Sequence, residues 1–255
     1  MPVDHRPIRD AARAFSVVLG PSVVLDAVAG AALATAIHSL RRRRRPSRPV
    51  ALASGLVGAY LAVGRPLMLH WGATCEDLHR PLPGDELVPA PATQSTRAVT
   101  IEAPPEAVWP WLAQIGQDRA GFYSYEWLEN FAGCKMHNAD EIHPEWQSRE
   151  PGDTVYLHPL SGLPVAVFES GRVFALENWG AFVLEQHGPG DTRLIARGRT
   201  TRGLGALANA LLMEIPHFVM ERKMLLGIKE RAERAHTTAL RRAMQATPLE
   251  EPVHA

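Results

Sequence analysis

Cysteine is scarce in this chain of 255 residues: only Cys75 and Cys134 occur. Two thiols cannot build a disulfide framework, and no C-x-x-C pair is present to begin a zinc site. Net charge is missing as well. Twenty-seven basic residues balance twenty-seven acidic ones, so the total gives no pull toward nucleic acid, and no nucleic-acid partner is expected. The chain has no internal repeat, no glycine-rich phosphate loop, no serine nucleophile elbow and no cysteine in a catalytic pattern. With these signatures absent, no cofactor and no metal are expected. The length fits one ordinary domain plus an extension, enough to bury a real core.

The extension is the N-terminal 70 residues, where long apolar runs are plentiful. Ala14 to Leu40 is mostly Ala, Val, Leu and Gly, interrupted by Pro21, Asp26 and His38, and Val50 to Leu69 is a second run. Between them lies Arg41-Arg42-Arg43-Arg44-Arg45-Pro46-Ser47-Arg48. About 20 apolar residues span the ~30 Å hydrocarbon layer, and both runs only just reach that length. An Asp near a span's centre costs ~3 kcal/mol on insertion scales, which makes the first run the weaker span. Membrane attachment through segments 14–40 and 50–69 is the expectation, with a soluble helical hairpin packed on the domain as the alternative. If the runs span, the arginines lie on the cytoplasmic side and the domain outside. A hairpin on the inner leaflet, its arginines on anionic lipids, keeps the domain inside. A solvated linker is the plainer reading of the arginines.

The rest of the chain is organised around Ala98 to Gly133. Ala98 to Glu102 alternates as a half-buried strand does, and Pro104-Pro105 stops it. Val108, Trp111, Leu112 and Ile115 then recur at helical spacing, with Gly116 as the stop and Pro110 expected to kink or break the helix. A second helix is expected from an N-cap at Ser124 to Gly133, with Tyr125, Leu128 and Ala132 on one face. Ahead of this stretch, Cys75 to Pro91 is a Pro-rich connector, expected to wrap the domain surface.

Strands follow. Asp153 to His158, Leu163 to Glu169, Arg172 to Asn178, Trp179 to Gln186 and Thr192 to Thr200 are short and rich in Val, Phe and Leu. Ser161-Gly162, Ser170-Gly171 and Gly188-Pro189-Gly190-Asp191 read as hairpin turns. Along the last strand Arg193, Arg197 and Arg199 share one face, expected to meet water, and Leu194, Ala196 and Gly198 share the other. The period then becomes helical at Leu204, Leu207, Ala208, Leu211, Leu212 and Ile215. It continues after Pro216, expected to kink or divide the helix at His217, through Phe218, Met224, Leu225 and Ile228. The pattern predicts an α+β fold, a twisted antiparallel sheet of about six strands around a long C-terminal helix, preceded by a hydrophobic helical hairpin. The expected divisions are 1–70 for the hydrophobic region, 71–97 for the connector, 98–243 for the α+β domain and 244–255 for a disordered tail.

Several words of the sequence resemble bacterial members of the SRPBCC superfamily, the START-like and polyketide-cyclase-like helix-grip domains. They are Ile101-x-Ala103-Pro104-Pro105-Glu106-x-Val108-Trp109-Pro110-Trp111-Leu112 and Arg119-Ala120-Gly121-Phe122-Tyr123-Ser124-Tyr125. Trp71-Gly72-Ala73-Thr74, Pro81-Leu82-Pro83-Gly84-Asp85-Glu86-Leu87 and His217 to Met224 are others. The resemblance runs from Trp71 to Glu233. It implies a helix-grip fold with an apolar cavity between sheet and helix, and a domain of a kind usually found in the cytosol. It implies no shared catalytic set, since the superfamily includes cyclases, hydrolases, and lipid or hormone carriers.

Candidate site residues follow from chemistry. His137, Asp140, Glu141 and His143, with Glu145 behind them, form the densest polar cluster, able in principle to ligate a metal or to act as acid and base. A solvated loop is the plainer reading. His158 on a strand and His217 at the helix bend are further catalytic candidates if they point inward. Tyr123, Tyr125, Trp127 and Trp146 near the presumed mouth, with His217 and Arg222, are the candidate ligand-binding residues, though such aromatics also serve as core. Glu221-Arg222-Lys223 could hold an internal ion pair or form a salt-bridged solvent face. Three functions remain open. The first is a membrane-attached domain binding a hydrophobic small molecule or lipid. The second is a cyclase- or hydrolase-like enzyme using a cavity His or Tyr, and the third is a non-catalytic membrane accessory protein.

Overall fold

A computed structural model of the chain describes residues 35, 47–201 and 213–246. The first hydrophobic run apart from Thr35, the arginines 41–45, the run from Leu204 to Leu212 and the tail beyond Ala246 lie outside the described residues. The second hydrophobic run forms one helix, α1 (Arg48–Leu69), 22 residues long and apolar enough to cross a membrane by length and composition. It carries a π-helical turn at Tyr60–Gly64. Among the described residues little protein covers its large apolar side chains: Leu52, Leu56, Leu61, Val63 and Leu67 are all more than half exposed. Leu69, the last residue, is the one buried position of the helix.

The sheet has six strands, β1 (Thr93–Ile101), β2 (Thr154–His158), β3 (Ser161–Glu169), β4 (Val173–Leu176), β5 (Gly180–Gln186) and β6 (Thr192–Thr200). Their order is β1-β6-β5-β4-β3-β2, and every neighbouring pair is antiparallel. β1 starts five residues before the expected Ala98, because it pairs with the whole of β6, from Thr93 opposite Thr200 to Ile101 opposite Thr192. Polar Thr93 to Arg97 concealed that start. Ser161-Gly162 is not a turn; both residues lie in β3, and the turn is Pro159-Leu160.

The arginine face of β6 corrects the expectation of a solvated surface. The connector folds over it. Its helix α2 (Cys75–His79) is fixed by a reciprocal cap in which Thr74 Oγ1 accepts from Asp77 N and Asp77 Oδ2 accepts from Thr74 N. Asp77 then pairs with Arg193 at 2.7 Å, while Arg197 donates to Asp85 Oδ2 at 2.8 Å and to the Arg80 carbonyl. Arg199 donates to the Asp85 and Val88 carbonyls. Leu82 joins Ala98, Val173, Ala175, Ala181, Val183 and Ile195 in a small second core beneath the connector. Three arginines on one strand are tolerable there because each finds carboxylate and carbonyl partners.

The other face carries the main core and two helices, α3 (Pro105–Ala113) and α5 (Glu214–Ala246), with the short α4 (Glu126–Phe131) beside them. α3 is a single helix despite Pro110. Ser124 does not cap α4. Tyr125 holds that position, and the Ser124 hydroxyl donates to the Met220 carbonyl at 3.1 Å. α5 runs three residues past the expected boundary at 243, with Pro216 near the start of its described stretch. Met224, Leu225, Ile228 and Ala232 of α5 join Val108, Trp111 and Leu112 of α3 in the main core.

α5 comes closest at Gly227, where an added Cβ would lie 2.5 Å from the Tyr123 carbonyl oxygen and 2.8 Å from its Cβ. Tyr123 itself sits at φ 54°, a conformation that bulky residues rarely adopt. Gly227→Ala improves helix propensity by about 1 kcal/mol, yet the clash is with backbone that cannot step aside. A net loss of about 1–3 kcal/mol of unfolding free energy is expected from urea denaturation. An unchanged or raised midpoint would show that the helix has room at this point.

Candidate functional site

Packing between α5 and the sheet is uneven. Where α5 meets α3 the interior is filled. Toward the start of α5 the inner sheet face presents Ser95 and Gly198, too small to reach the helix, and a cavity of about 550 Å³ opens. Its walls are mostly apolar: Leu163, Leu176 and Phe182 from the sheet, Leu128 from α4, and Met220 and Met224 from α5. Leu69, at the end of α1, is part of the lining.

Several polar groups line the same space. The Arg97 guanidinium meets the Glu221 carboxylate, both side chains being almost wholly buried. Arg97 also donates from Nε to the Met68 carbonyl at 2.8 Å, and its guanidinium lies 5.3 Å from the Phe218 ring centre. Burial pulls the Arg97 pKa down to about 10, an effect that the Glu214 charge opposes. Nearby, Arg65 of α1 pairs with Glu214 of α5 at 2.8 Å. His217 lines the cavity with its ring edge-on to Trp179. Burial, helped by the Arg97 charge, lowers its pKa to about 4, so its imidazole is neutral across the physiological range.

A carboxyl lines the cavity at α4. Glu129 belongs to the lining, and its Oε2 is shielded from solvent with no hydrogen-bond partner among the described residues. Burial, with the Glu126 charge adding to it, raises its pKa to about 7. Cys134 lines the cavity on the same side; burial and the Glu129 charge push its thiol up to about 11, which leaves it protonated and a poor nucleophile.

The candidates from sequence divide sharply. His217 lines the cavity. Tyr123 does not; it is core, its hydroxyl accepting from Gln114 Nε2 at 2.9 Å and its ring covered by Arg231. Trp127 points outward, 70% exposed, and Tyr125 is half-buried outside the cavity. Trp146 stacks on His143 at 4.1 Å and packs against the main core. Arg222 lies over the Trp71 ring at 5.0 Å, away from the lining. His137 is solvent-exposed, and the His143 ring pairs with Glu145 at 3.3 Å. His158 ends β2 and accepts from Leu160 N. The polar cluster instead braces the fold: Asn138 Oδ1 accepts from Tyr123 N at 2.7 Å, and Asp140 pairs with Arg231. Among the described residues no group of three or more His, Cys, Asp or Glu is placed to hold a metal ion.

Sequence reasoning missed Arg97 and Glu129. A signal existed for each. Arg97 shares a strand face with Val99 and Ile101, a lone charge among apolar positions. Glu129 stands one turn after Tyr125, beside the apolar face of its helix.

No family model matches the chain, and no curated relative is found. Among solved structures it is similar to a protein from Bordetella parapertussis, at 16% identity over 65% of this chain and 91% of that one, with a TM-score of 0.32. It is also similar to the Polyketide_cyc-like protein of Corynebacterium glutamicum, at 15% identity over 62% of this chain and 97% of that one, with a TM-score of 0.28.

Two outcomes follow from the buried charges. Glu221→Ala strands the Arg97 guanidinium in the interior and costs about 3–5 kcal/mol, whereas the double change Arg97→Met with Glu221→Leu restores most of it. Urea denaturation of both variants measures this; equal losses would show that the unpaired charge is not the cause. For Glu129 the folded pKa of about 7 lies above the ordinary 4.5, so ionisation opposes folding. Relative to Glu129→Gln, the native chain is equally affected by denaturant below pH about 4.5, loses ground as pH rises to about 7, and then holds a constant deficit. A pH series of denaturation midpoints reads that curve directly.

Proposed function

We propose that the chain is a membrane-attached, SRPBCC-like domain that binds a hydrophobic small molecule or lipid between its sheet and C-terminal helix. One observation carries this reading: the mostly apolar cavity has in its lining the last residue of α1, an apolar helix left largely exposed by the described residues. Its volume of about 550 Å³ lies within the range of small-molecule sites. Burying an apolar ligand there removes hydrocarbon surface from water at roughly 25 cal/mol per Å².

The helix supports the second half of the proposal. Exposed leucines along α1 are costly in water and favourable in lipid. Between Arg48 and Arg65 lie sixteen residues, ~24 Å of helix, somewhat short of the ~30 Å hydrocarbon layer. Arg65 is paired with Glu214, so in this arrangement the domain stands at the lipid boundary with its cavity close to the bilayer surface. An apolar ligand would leave the membrane without a long passage through water.

An enzyme of the cyclase or hydrolase kind is favoured by a single observation, the neutral imidazole of His217 in the cavity wall. The carrier reading draws on the whole lining. A purely structural accessory protein has no use for an unfilled core.

Full-length protein extracted in mild detergent, examined by native mass spectrometry and organic extraction, is expected to carry one apolar compound in stoichiometric amount. Leu176→Trp, which fills the cavity from the sheet side, is expected to leave a folded protein with that compound largely lost. Protein that emerges empty, and stays empty when offered mixed lipid extracts, would remove the binding reading.

A further inference from the structure

The proposed cavity function leaves open what, other than apolar area, selects the ligand. Among the described residues, every charged side chain in the wall but one is already engaged. Arg97 and Glu221 hold each other, Arg65 holds Glu214, Arg199 donates to Asp85 and Val88, and Ser124 donates to Met220. Glu129 is different. It belongs to the lining, and its Oε2 is buried and meets no partner among the described residues. Oxygens of Glu214 and Glu221 also lack a hydrogen bond, but those carboxylates are held by Arg65 and Arg97. A carboxyl oxygen left in this state is unfavourable, and the loss is recovered if something in the cavity pairs with it.

We propose that Glu129 is the polar anchor of the cavity, its carboxyl hydrogen-bonding a neutral oxygen on an otherwise apolar ligand: a ketone, an ester or an alcohol. The inference rests on the cavity-binding reading and adds a specificity to it. A carbonyl oxygen only accepts, so it requires the protonated carboxyl, whose O–H donates to it. An alcohol can accept from the protonated carboxyl or donate to the ionised one. A free carboxylate or phosphate at the same place would face an ionising carboxyl in an apolar wall and is disfavoured.

The groups around Glu129 make its titration separable. Glu126 lies on the same helix, 3.7 Å from His137, and its charge helps raise the Glu129 pKa to about 7. Cys134 stays protonated to about 11, and His217 across the cavity stays neutral down to about 4. His158 approaches from β2, its Nε2 3.4 Å from where a Cβ on Gly133 would lie. Any pH dependence that belongs to His158 or His137 survives in a Glu129→Gln variant; one that belongs to Glu129 does not.

The test uses the full chain held in an amphipol, with the uncharged fluorophore N-phenylnaphthylamine displaced by four probes: methyl decyl ketone, dodecyl alcohol, dodecanoate and dodecane. Between about pH 6 and about pH 8 the ketone is expected to lose about tenfold in affinity, following the protonated fraction of the carboxyl, while the alcohol changes little. Glu129→Gln keeps an N–H donor and is expected to bind the ketone with no pH dependence. Glu129→Leu is expected to bind ketone and dodecane alike. A ketone affinity that is flat with pH, or whose pH dependence persists in Glu129→Gln, overturns the assignment while leaving the cavity reading intact. Failure of all four probes to displace the fluorophore overturns both.

Discussion

Arg97 and Glu221 face each other in an interior that would reject either alone. The guanidinium comes from β1, the carboxylate from α5, and the end of α1 supplies a carbonyl to the same arginine at Met68. Removing two charges from water is expensive, and the mutual attraction roughly compensates only when geometry and extra hydrogen bonds are good. What the pair gives is position. Any displacement of α5 along the sheet separates the charges, so the helix is held in one register against β1, and α1 ends where Arg97 can reach it. Purely apolar packing would tolerate sliding by a turn; a buried pair does not.

Given that register, the hollow in the core follows from residue size. α5 approaches closely at Gly227, against Tyr123, and fills the space toward α3 with Leu225 and Ile228. Toward its start the helix faces Ser95 and Gly198, and the gap between is left to Met220, Met224 and the cavity. Flexible methionines on one wall suit an occupant of variable shape. The space is bounded on one side by the buried ion pairs near the end of α1 and on another by α4 with Glu129, so the polar features of the wall come from separate elements.

Much of the architecture was legible in advance because it depends on local pattern. Five strands downstream of Asp153, the helical period after Pro216 and the turns at Ser170-Gly171 and Gly188 to Asp191 follow from alternation and punctuation; Ser161-Gly162, inside β3, does not. The failures share a cause. The pattern makes β1 too short because Ser95 and Arg97 face inward, and polar residues on an inner face look like the end of a strand. Arg193, Arg197 and Arg199 look like a solvated face because the chain that covers them, Thr74 to Val88, has no regular period of its own. Tyr123 resembled a mouth aromatic, yet its left-handed backbone and its bond to Gln114 turn it into the core. Of the candidate site residues His217 alone lines the cavity, since loop side chains such as His137 and Trp127 take directions that spacing does not encode. Glu129 was unreadable for a further reason: an unpartnered acid can be recognised only once its neighbours are known.

The junction between α1 and the sheet has a mechanical side. Trp71 and Gly72 lie along the outer edge of β1, with the Trp71 carbonyl accepting from Ala98 N at 3.0 Å. Gly72, at φ 71°, fits so closely that a Cβ there would overlap the Ala98 carbonyl oxygen. Arg193 donates to the Gly72 carbonyl from the neighbouring strand. The hydrogen-bonding position at Ala98 on this edge is thereby taken up, and a single residue, His70, separates the apolar helix from Trp71, where the chain is bonded to the sheet. There is no slack in such a coupling. Where a flexible leash would leave helix and sheet free to turn against each other, this junction behaves as a bracket, fixing the direction of α1 relative to β1.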